Sequence, residues 1–272
     1  MRGEVILLTR SIKLSLCQLY LTGNSSTDLT HVEITGTSCH SYQPIIKISG
    51  LLGEVSMVGS SLRMEDLTRE GSGIEVSNSS SSAAEIRICK NNMYGPFTGT
   101  GILVKASANI TLVENWLFHV RPYDSKYSVG LAVLQGSHMI ILGNNIGSIA
   151  GPAEVVAGYQ IIGADCNEQP GFSGNVAHSI AGHGLIVKSL SNQKCIYASE
   201  FTAYKCQGAG VWVKEPVFEV RLINLTLIDN GYGVAPQVGL VGSTAKKVLK
   251  VQQAKFFGET DAIECFSRPL VC

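Results

Sequence analysis

The chain has 272 residues, 45% of them hydrophobic, which is enough to bury a sizeable core in one all-β domain or in two ordinary ones. Lys plus Arg equals Asp plus Glu at 21 each, and charged residues are only 15% of the chain, so no basic field exists to hold a phosphate backbone and no nucleic-acid partner is expected. Short apolar runs broken by Gly, Ser or Asn fall far below the roughly 20 consecutive residues of a membrane-spanning helix.

The opening stretch MRGEVILLTRSIKLSLC is interrupted by Arg10 and Lys13 and has no small-residue cleavage site after a continuous apolar core. It is unlike a secretory signal, and the Met1 end reads as an internal starting point. Further on, one element recurs: Gly73-Ile-Glu-Val76, Gly101-Ile-Leu-Val104, Gly130-Leu-Ala-Val133, Gly158-Tyr-Gln-Ile161, Gly184-Leu-Ile-Val187, Gly210-Val-Trp-Val213 and Gly233-Val-Ala-Pro236. By subtraction the spacings are 28, 29, 28, 26, 26 and 23, inside the range of repeat architectures. A second run follows in most units: Ile86 to Asn91, Ile110 to Asn115, Met139 to Asn144, Phe172 to Asn175 and Val220 to Asn224.

Short runs of Val, Ile and Leu bounded by Gly and Asn read as strands, and no segment sustains a helical period. The pattern predicts an all-β chain, a right-handed parallel β-helix with coils of about 25 residues. We expect one domain over 1–272, with irregular first coils over 1–72, regular repeats over 73–250 and a C-terminal cap over 251–272. Ile, Leu and Val should point alternately inward. The stretch from Gly158 to Val187 should hold strands at Tyr159 to Ile162 and Gly184 to Val187, an extruded loop from Cys166 to Pro170, and a turn at Asn175.

Asn tolerates the left-handed backbone of a sharp turn, and its amide can both donate and accept between stacked coils. Asn91, Asn115, Asn144, Asn175 and Asn224 are therefore expected to form a structural ladder, with Ser199 standing in for the unit that lacks Asn. Four sequons begin at Asn24, Asn78, Asn109 and Asn224. Asn24, Asn78 and Asn109 are the candidate glycan acceptors, since a place in the ladder would exclude Asn224. Eight scattered cysteines with no C-x-x-C pair exclude zinc-ribbon and thioredoxin-like readings, and with the sequons they favour an oxidising, extracellular setting. Cys166 is a candidate for a disulfide or a buried thiol. Cys195 and Cys206 could meet at neighbouring turns, and Cys265 and Cys272 could close a terminal loop, although eight cysteines allow 105 pairings.

Candidates for chemistry are sparse. His178 and His183 would share a face on a helix but lie on opposite sides of a turn in a coil, so His178 is expected to be a hydrogen-bonding residue, and no metal or other cofactor is expected. His119 is the one histidine that could meet His178, and contact within about 5 Å would restore a metal or proton-transfer role. A sugar-cleaving site needs carboxylates converging on one outer face. The repeat-strand positions Glu75, Leu103, Ala132, Gln160, Ile186, Trp212 and Ala235 supply no acidic pair. His119, Arg121 and Asp124, with His178 and with Glu154 in the next coil, are weak glycan-site candidates; Trp116 and Trp212 could stack on a sugar ring but suit packing better.

The stretches Glu4-Val-Ile-Leu-Leu-Thr-Arg-Ser-Ile12, Gly158-Tyr-Gln-Ile-Ile-Gly-Ala-Asp-Cys166, Gly174-Asn-Val-Ala-His-Ser-Ile-Ala-Gly-His-Gly-Leu185 and Ile223-Asn-Leu-Thr-Leu-Ile-Asp-Asn-Gly231 resemble the fibrocystin and fibrocystin-L family. In that family a strand like the first follows a G8 domain and leads into parallel β-helix repeats. The resemblance implies a non-catalytic extracellular segment of a large, glycosylated, single-pass receptor-like protein of the apical or ciliary surface. Such a segment would present a rigid face to an unknown extracellular protein or glycan, and would meet a membrane only through other parts of a longer chain. The rival expectation is a polysaccharide-cleaving β-helix, because G8-containing relatives include hyaluronan-degrading proteins.

Overall fold

The computed structural model describes residues 6–8, 12–16, 18–23, 26–37, 43–51, 53–65, 71–77, 84–105, 109–122, 126–135, 138–151, 155–162, 164–165, 171–188, 194–214, 219–237 and 248–258. Each regular element among them is a β-strand, and strands pair with the strand one coil away rather than with their neighbours in sequence. Three sheets result. The first runs from Ile6–Leu8 to Val248–Gln252, the second from Ile12–Leu16 to Lys255–Phe257, and the third from Leu19–Gly23 to Tyr232–Pro236. One coil passes through Glu85–Cys89, Asn92–Thr98 and Thr100–Lys105, and Asn109–Val113, Trp116–Arg121 and Tyr127–Gln135 stack on it in parallel. The short strand Ala164–Asp165 is the exception, pairing antiparallel with Lys194–Ser199.

The chain is thus the expected parallel β-helix. Its coils vary more than the glycine spacing suggests: the partners Glu85↔Asn109 are 24 residues apart and Glu54↔Glu85 are 31. The coils before residue 72 were expected to be irregular; their described strands join the same three sheets, with one register shift between Thr22 and Gly23. They escape the glycine pattern because Ile45 stands one residue before the Ile46↔Ile74 pair, where Gly73 stands in the next coil.

The repeating glycines form one column in the third sheet, and a close approach requires them. A Cβ on Gly101 would lie 2.7 Å from the Gly130 carbonyl oxygen and 2.4 Å from Leu117 Cδ1, both on the following coil. Gly130 meets the Gly158 carbonyl and Ile146 in the same way, and Gly184 meets the Gly210 carbonyl at 2.6 Å. Each unit needs its glycine because the next coil occupies that space.

In the first sheet the core largely follows alternation, whereas in the second a left-handed residue such as His119 or Ser179 interrupts it, so that Leu117 and Val120 are buried with Phe118 and His119 between them. Asn109–Val113 buries Ile110 and Leu112 and leaves Asn109, Thr111 and Val113 partly exposed. Ile86, Ile110 and Met139 then stack across coils, as do Ile88, Leu112 and Ile141, each buried side chain contributing about 1.5 to 3 kcal/mol. The third sheet departs from alternation. Six consecutive residues of Val155–Ile162 are buried, and Val129, Ala132, Ala157 and Ile186 form a second apolar cluster on its outer side. Strands buried on both faces read as continuous apolar runs, which is what Gly184-Leu-Ile-Val187 is.

The asparagine ladder exists over four coils. Asn115 Oδ1 accepts from the backbone N–H of Asn91 at 3.1 Å and from Asn91 Nδ2 at 3.0 Å. Asn144 Oδ1 does the same for Asn115, and Asn175 Oδ1 for Asn144. Each Nδ2 also donates to a core-strand carbonyl one coil back, as Asn115 does to Ile88 at 2.7 Å. Ser60 extends the ladder upstream, its N–H donating to Asn91 Oδ1 at 2.8 Å and its hydroxyl to the Leu29 carbonyl.

Two expectations about the ladder are corrected. Ser199 lies on the outside of the first sheet, its hydroxyl donating to Ser173 Oγ; the ladder position of that coil is Phe201, which packs fully buried against Tyr159 and Phe172. Tyr159 closes the polar column by donating its hydroxyl to the Asn144 carbonyl at 2.7 Å. Asn224 is exposed with φ of 55°, and Leu225 holds the buried position. The left-handed turn residue is the one before the ladder residue in each coil: Lys90, Glu114, Gly143, Gly174, Glu200 and Asn224. An Asn can serve either position, which is why the fifth was misplaced.

Asn115→Ala would leave the buried backbone N–H of Asn91 without its acceptor and take from Asn144 Oδ1 one of its two donors, so urea unfolding should show a loss of about 1 to 3 kcal/mol. Gly130→Ala should lose a similar amount, about 1 to 3 kcal/mol, through overpacking against the next coil. Midpoints within error of wild type for both variants would contradict the stacking described.

Candidate functional site

The outer face of the second sheet carries a row of rings. Strand alternation and register place Tyr94, Phe118, Gly147, His178 and Tyr204 in one outward column, and Asn92, Trp116, Asn145, Val176 and Thr202 in the column beside it. Gly147 lets the row close up: a Cβ there would lie 2.3 Å from His178 Cε1. His178 stacks on Tyr204 at 4.9 Å with an 8° interplanar angle and tilts against Phe118 at 5.7 Å. Trp116 lies 6.1 Å from Phe118. Trp116 and Tyr94 are each 53% exposed, so their ring faces remain open to solvent. No residue of the two columns from Asn92 to Tyr204 carries a formal charge, since burial lowers the pKa of His178 and keeps it neutral at pH 7.

The weak sugar-site candidates fall partly on this face. His119 is exposed, with φ of 72°, and tilts against Tyr94 at 6.0 Å. Arg121 donates from Nε to Thr98 Oγ1 at 3.0 Å. His178 has its Nδ1 3.3 Å from the Ser179 hydroxyl. His119 and His178 do not meet, because His178 aligns with Gly147 and Phe118, whereas His119 is one residue further along its strand and on an earlier coil. Among the described residues no group of three or more His, Cys, Asp and Glu could hold a metal ion. Asp124 and Glu154 lie outside the described residues, as do Asn24, Asn78, Cys166, Cys265, Cys272, the Cys166 to Pro170 segment and the Glu4 end of the opening motif.

The column Glu75, Leu103, Ala132, Gln160, Ile186, Trp212, Ala235 is real, but Ala132, Gln160 and Ile186 in it are buried. The stacked carboxylate pair among the described residues is elsewhere, Glu54 and Glu85 at register-paired positions of the first sheet. Reading only the glycine-led strands missed it. Both stand on an outer face, with Glu85 3.8 Å from Arg87.

Two grooves occur. One of about 340 Å³ opens on the first sheet where Gly171 leaves a gap between Ile140 and Tyr197, with Arg221 over the Tyr197 ring at 4.8 Å. The other, about 670 Å³, lies beside the last described strand and is lined by Leu227, Tyr232, Val234, Phe256 and Phe257.

Cys195 is disulfide-bonded, but Cys206 is a free thiol, which corrects the expected Cys195–Cys206 meeting. Cys195 aligns with Glu219 in an outward column of the first sheet, while Cys206 aligns with Ile180 in the core column of the second. Burial pushes the Cys206 thiol up to about 12, so it is inert packing. Asn109 is half-buried at the start of its strand, with its Oδ1 buried and without a hydrogen-bond partner, whereas Asn224 projects from an exposed turn. The accessibility order of these two sequons is the reverse of that expected.

On the third sheet His183 lies against Trp212, ring centroids 4.3 Å apart, and its Nδ1 accepts from the Ala209 N–H at 2.9 Å. Burial first, and the nearby Lys214 charge second, lower its pKa to about 4. Lys214 Nζ sits 4.0 Å from the centre of the Trp212 ring, so Trp212 packs between a base and a cation and does not offer an open face. No signal in the sequence distinguishes it from Trp116; only register does.

No family model matches the chain, and no curated protein matches it. Among solved structures, the catalytic domain of a GH87 α-1,3-glucanase in complex with tetrasaccharides is similar over 86% of this chain and 50% of that one, at 12% identity and a TM-score of 0.39. This chain therefore spans half the length of that structure. No helix among the described residues is long and apolar enough to cross a membrane.

His183 is neutral in the fold down to about pH 4, while the unfolded chain protonates near the ordinary value of 6.5. The unfolded state then binds more protons, so the contribution of this site is present above pH 6.5 and is lost as pH falls towards 4, by at most about 3 kcal/mol. Thermal melts between pH 7 and 4 should show a steeper loss in wild type than in His183→Gln. Parallel pH profiles for the two would contradict the assignment.

Proposed function

We propose that this chain is a non-catalytic β-helix module that binds an uncharged saccharide chain along the outer face of its second sheet. The observation that carries this reading is the group of Trp116, Phe118, Tyr94, His178 and Tyr204, with two half-exposed rings and the exposed amide of Asn92 beside them. Ring faces stack on the C–H faces of sugars, and amides and hydroxyls hydrogen-bond their edges. The row runs across coils set about 4.8 Å apart, so it offers contacts along an extended polymer rather than a pocket for one small molecule. The absence of formal charge in both columns suits an uncharged chain.

The non-catalytic part is supported by where the stacked carboxylates among the described residues stand. Glu54 and Glu85 belong to the first sheet, remote from the ring row, and Glu85 is engaged with Arg87. The extracellular setting, within a fibrocystin-like receptor at an apical or ciliary surface, is supported by the four motif stretches of the sequence alone.

Affinity electrophoresis through neutral polysaccharides tests the reading. At least one neutral polymer should retard the wild-type chain, and Trp116→Ala should weaken retardation about tenfold, or about 1.4 kcal/mol, with a smaller effect for Tyr94→Ala. Prolonged incubation should release no reducing ends. Failure of every neutral polymer to bind, or binding indifferent to Trp116→Ala, would sink the proposed face; release of reducing ends would replace it with a polysaccharide-cleaving activity.

A further inference from the structure

The third sheet stacks two lysines without neutralising them. Val187 pairs with Val213, and the N–H of Lys214 donates to the Val187 carbonyl at 2.7 Å, so Lys188 and Lys214 follow side by side on adjacent coils. Both are half-buried. Among the described residues neither has a carboxylate within ion-pair distance, although Lys13, Lys90 and Lys250 each have one. Like charges directly opposite on paired strands are unfavourable, and here they persist on a chain with as many acids as bases.

The surroundings hold the pair in place. Lys214 Nζ is fixed over Trp212, and Trp212 rests against His183. Because His183 Nδ1 accepts the Ala209 N–H, the neutral ring carries its proton on Nε2 and can only donate from that side. Burial and the Lys214 charge together lower the Lys188 pKa, the signature of an ammonium that lacks an anion. The cluster thus holds two cations on one outer face, beside a histidine whose second ring nitrogen is a donor, a set that complements an oxyanion.

We propose that Lys188 and Lys214, beside Trp212 and His183, form a site for the anionic group, carboxylate or sulfate, of an acidic saccharide. The site lies on the third sheet and does not depend on the neutral-chain reading of the second.

Calorimetric titration at low and at physiological salt with three probes tests it: a galacturonate oligomer, a dextran sulfate fragment, and unsulfated dextran of equal length. At least one acidic probe should bind more tightly than dextran and lose affinity with added salt, and the one that binds identifies carboxylate or sulfate as the group recognised. The double variant Lys188→Gln with Lys214→Gln should weaken that binding tenfold or more, while Trp116→Ala should leave it unchanged and Lys214→Arg should retain most of it. Removing two repelling charges should leave the melting temperature equal to or above that of wild type, so lost binding is not lost folding. Equal affinity of all three probes, or acidic-probe binding unaltered in the double variant, would overturn the site.

Discussion

A buried turn must satisfy its own amides, and in this chain that requirement is met between coils rather than within them. The side-chain amide of Asn144 accepts two hydrogen bonds from Asn115 and donates to the Leu112 carbonyl on the preceding coil, and donates to Asn175 on the following one. Each rung therefore exists only because its neighbours do. Loss of one takes a hydrogen bond from the rung on each side of it, so the ladder adds a polar coupling to the packing that joins neighbouring coils of a solenoid. The glycine column imposes the complementary condition on the opposite wall, where coil-to-coil distance leaves no room for a Cβ.

These two columns set the register, and the register builds the surfaces. Once Asn91, Asn115, Asn144 and Asn175 are aligned, the residues after them in the second sheet must align too, and Tyr94, Phe118, His178 and Tyr204 become one row with Trp116 in the column beside it. The same alignment on the third sheet sets Lys188 against Lys214 and encloses His183 and Trp212. Neither surface is a local motif. Both come from residues roughly one coil apart in sequence, held by a scaffold whose strands have little freedom to slip.

Much of the scaffold was legible because its constraints recur once per coil. Gly130 is needed for the same reason as Gly101, so the glycine spacing exposes the repeat. Four rungs of the ladder were legible for the same cause. Asn224 was misread because Asn also suits the left-handed turn position immediately before a rung, and Phe201 was missed because an aromatic cluster replaces the polar rung without any change in the flanking pattern. Two-sided burial of the third sheet was hidden because alternation was assumed where runs such as Gly184-Leu-Ile-Val187 are continuous. The functional surfaces were least legible: Lys188 and Lys214 look unrelated until a coil length of 26 residues, by subtraction, brings them together. Cys195 and Cys206, eleven apart by subtraction, look related until register sends one outward and the other into the core.

The account depends on the ladder being a continuous buried network, and the exchange of its side-chain amide protons measures that most directly. In heteronuclear NMR under native conditions, the Nδ2 protons of Asn115 and Asn144 should exchange with solvent as slowly as the core backbone amides, while those of the exposed Asn92 and Asn224 exchange at the rate of a free amide. Fast exchange at Asn115 and Asn144 with the core backbone still protected would show that the coils stack without the ladder, and would contradict the account at its base.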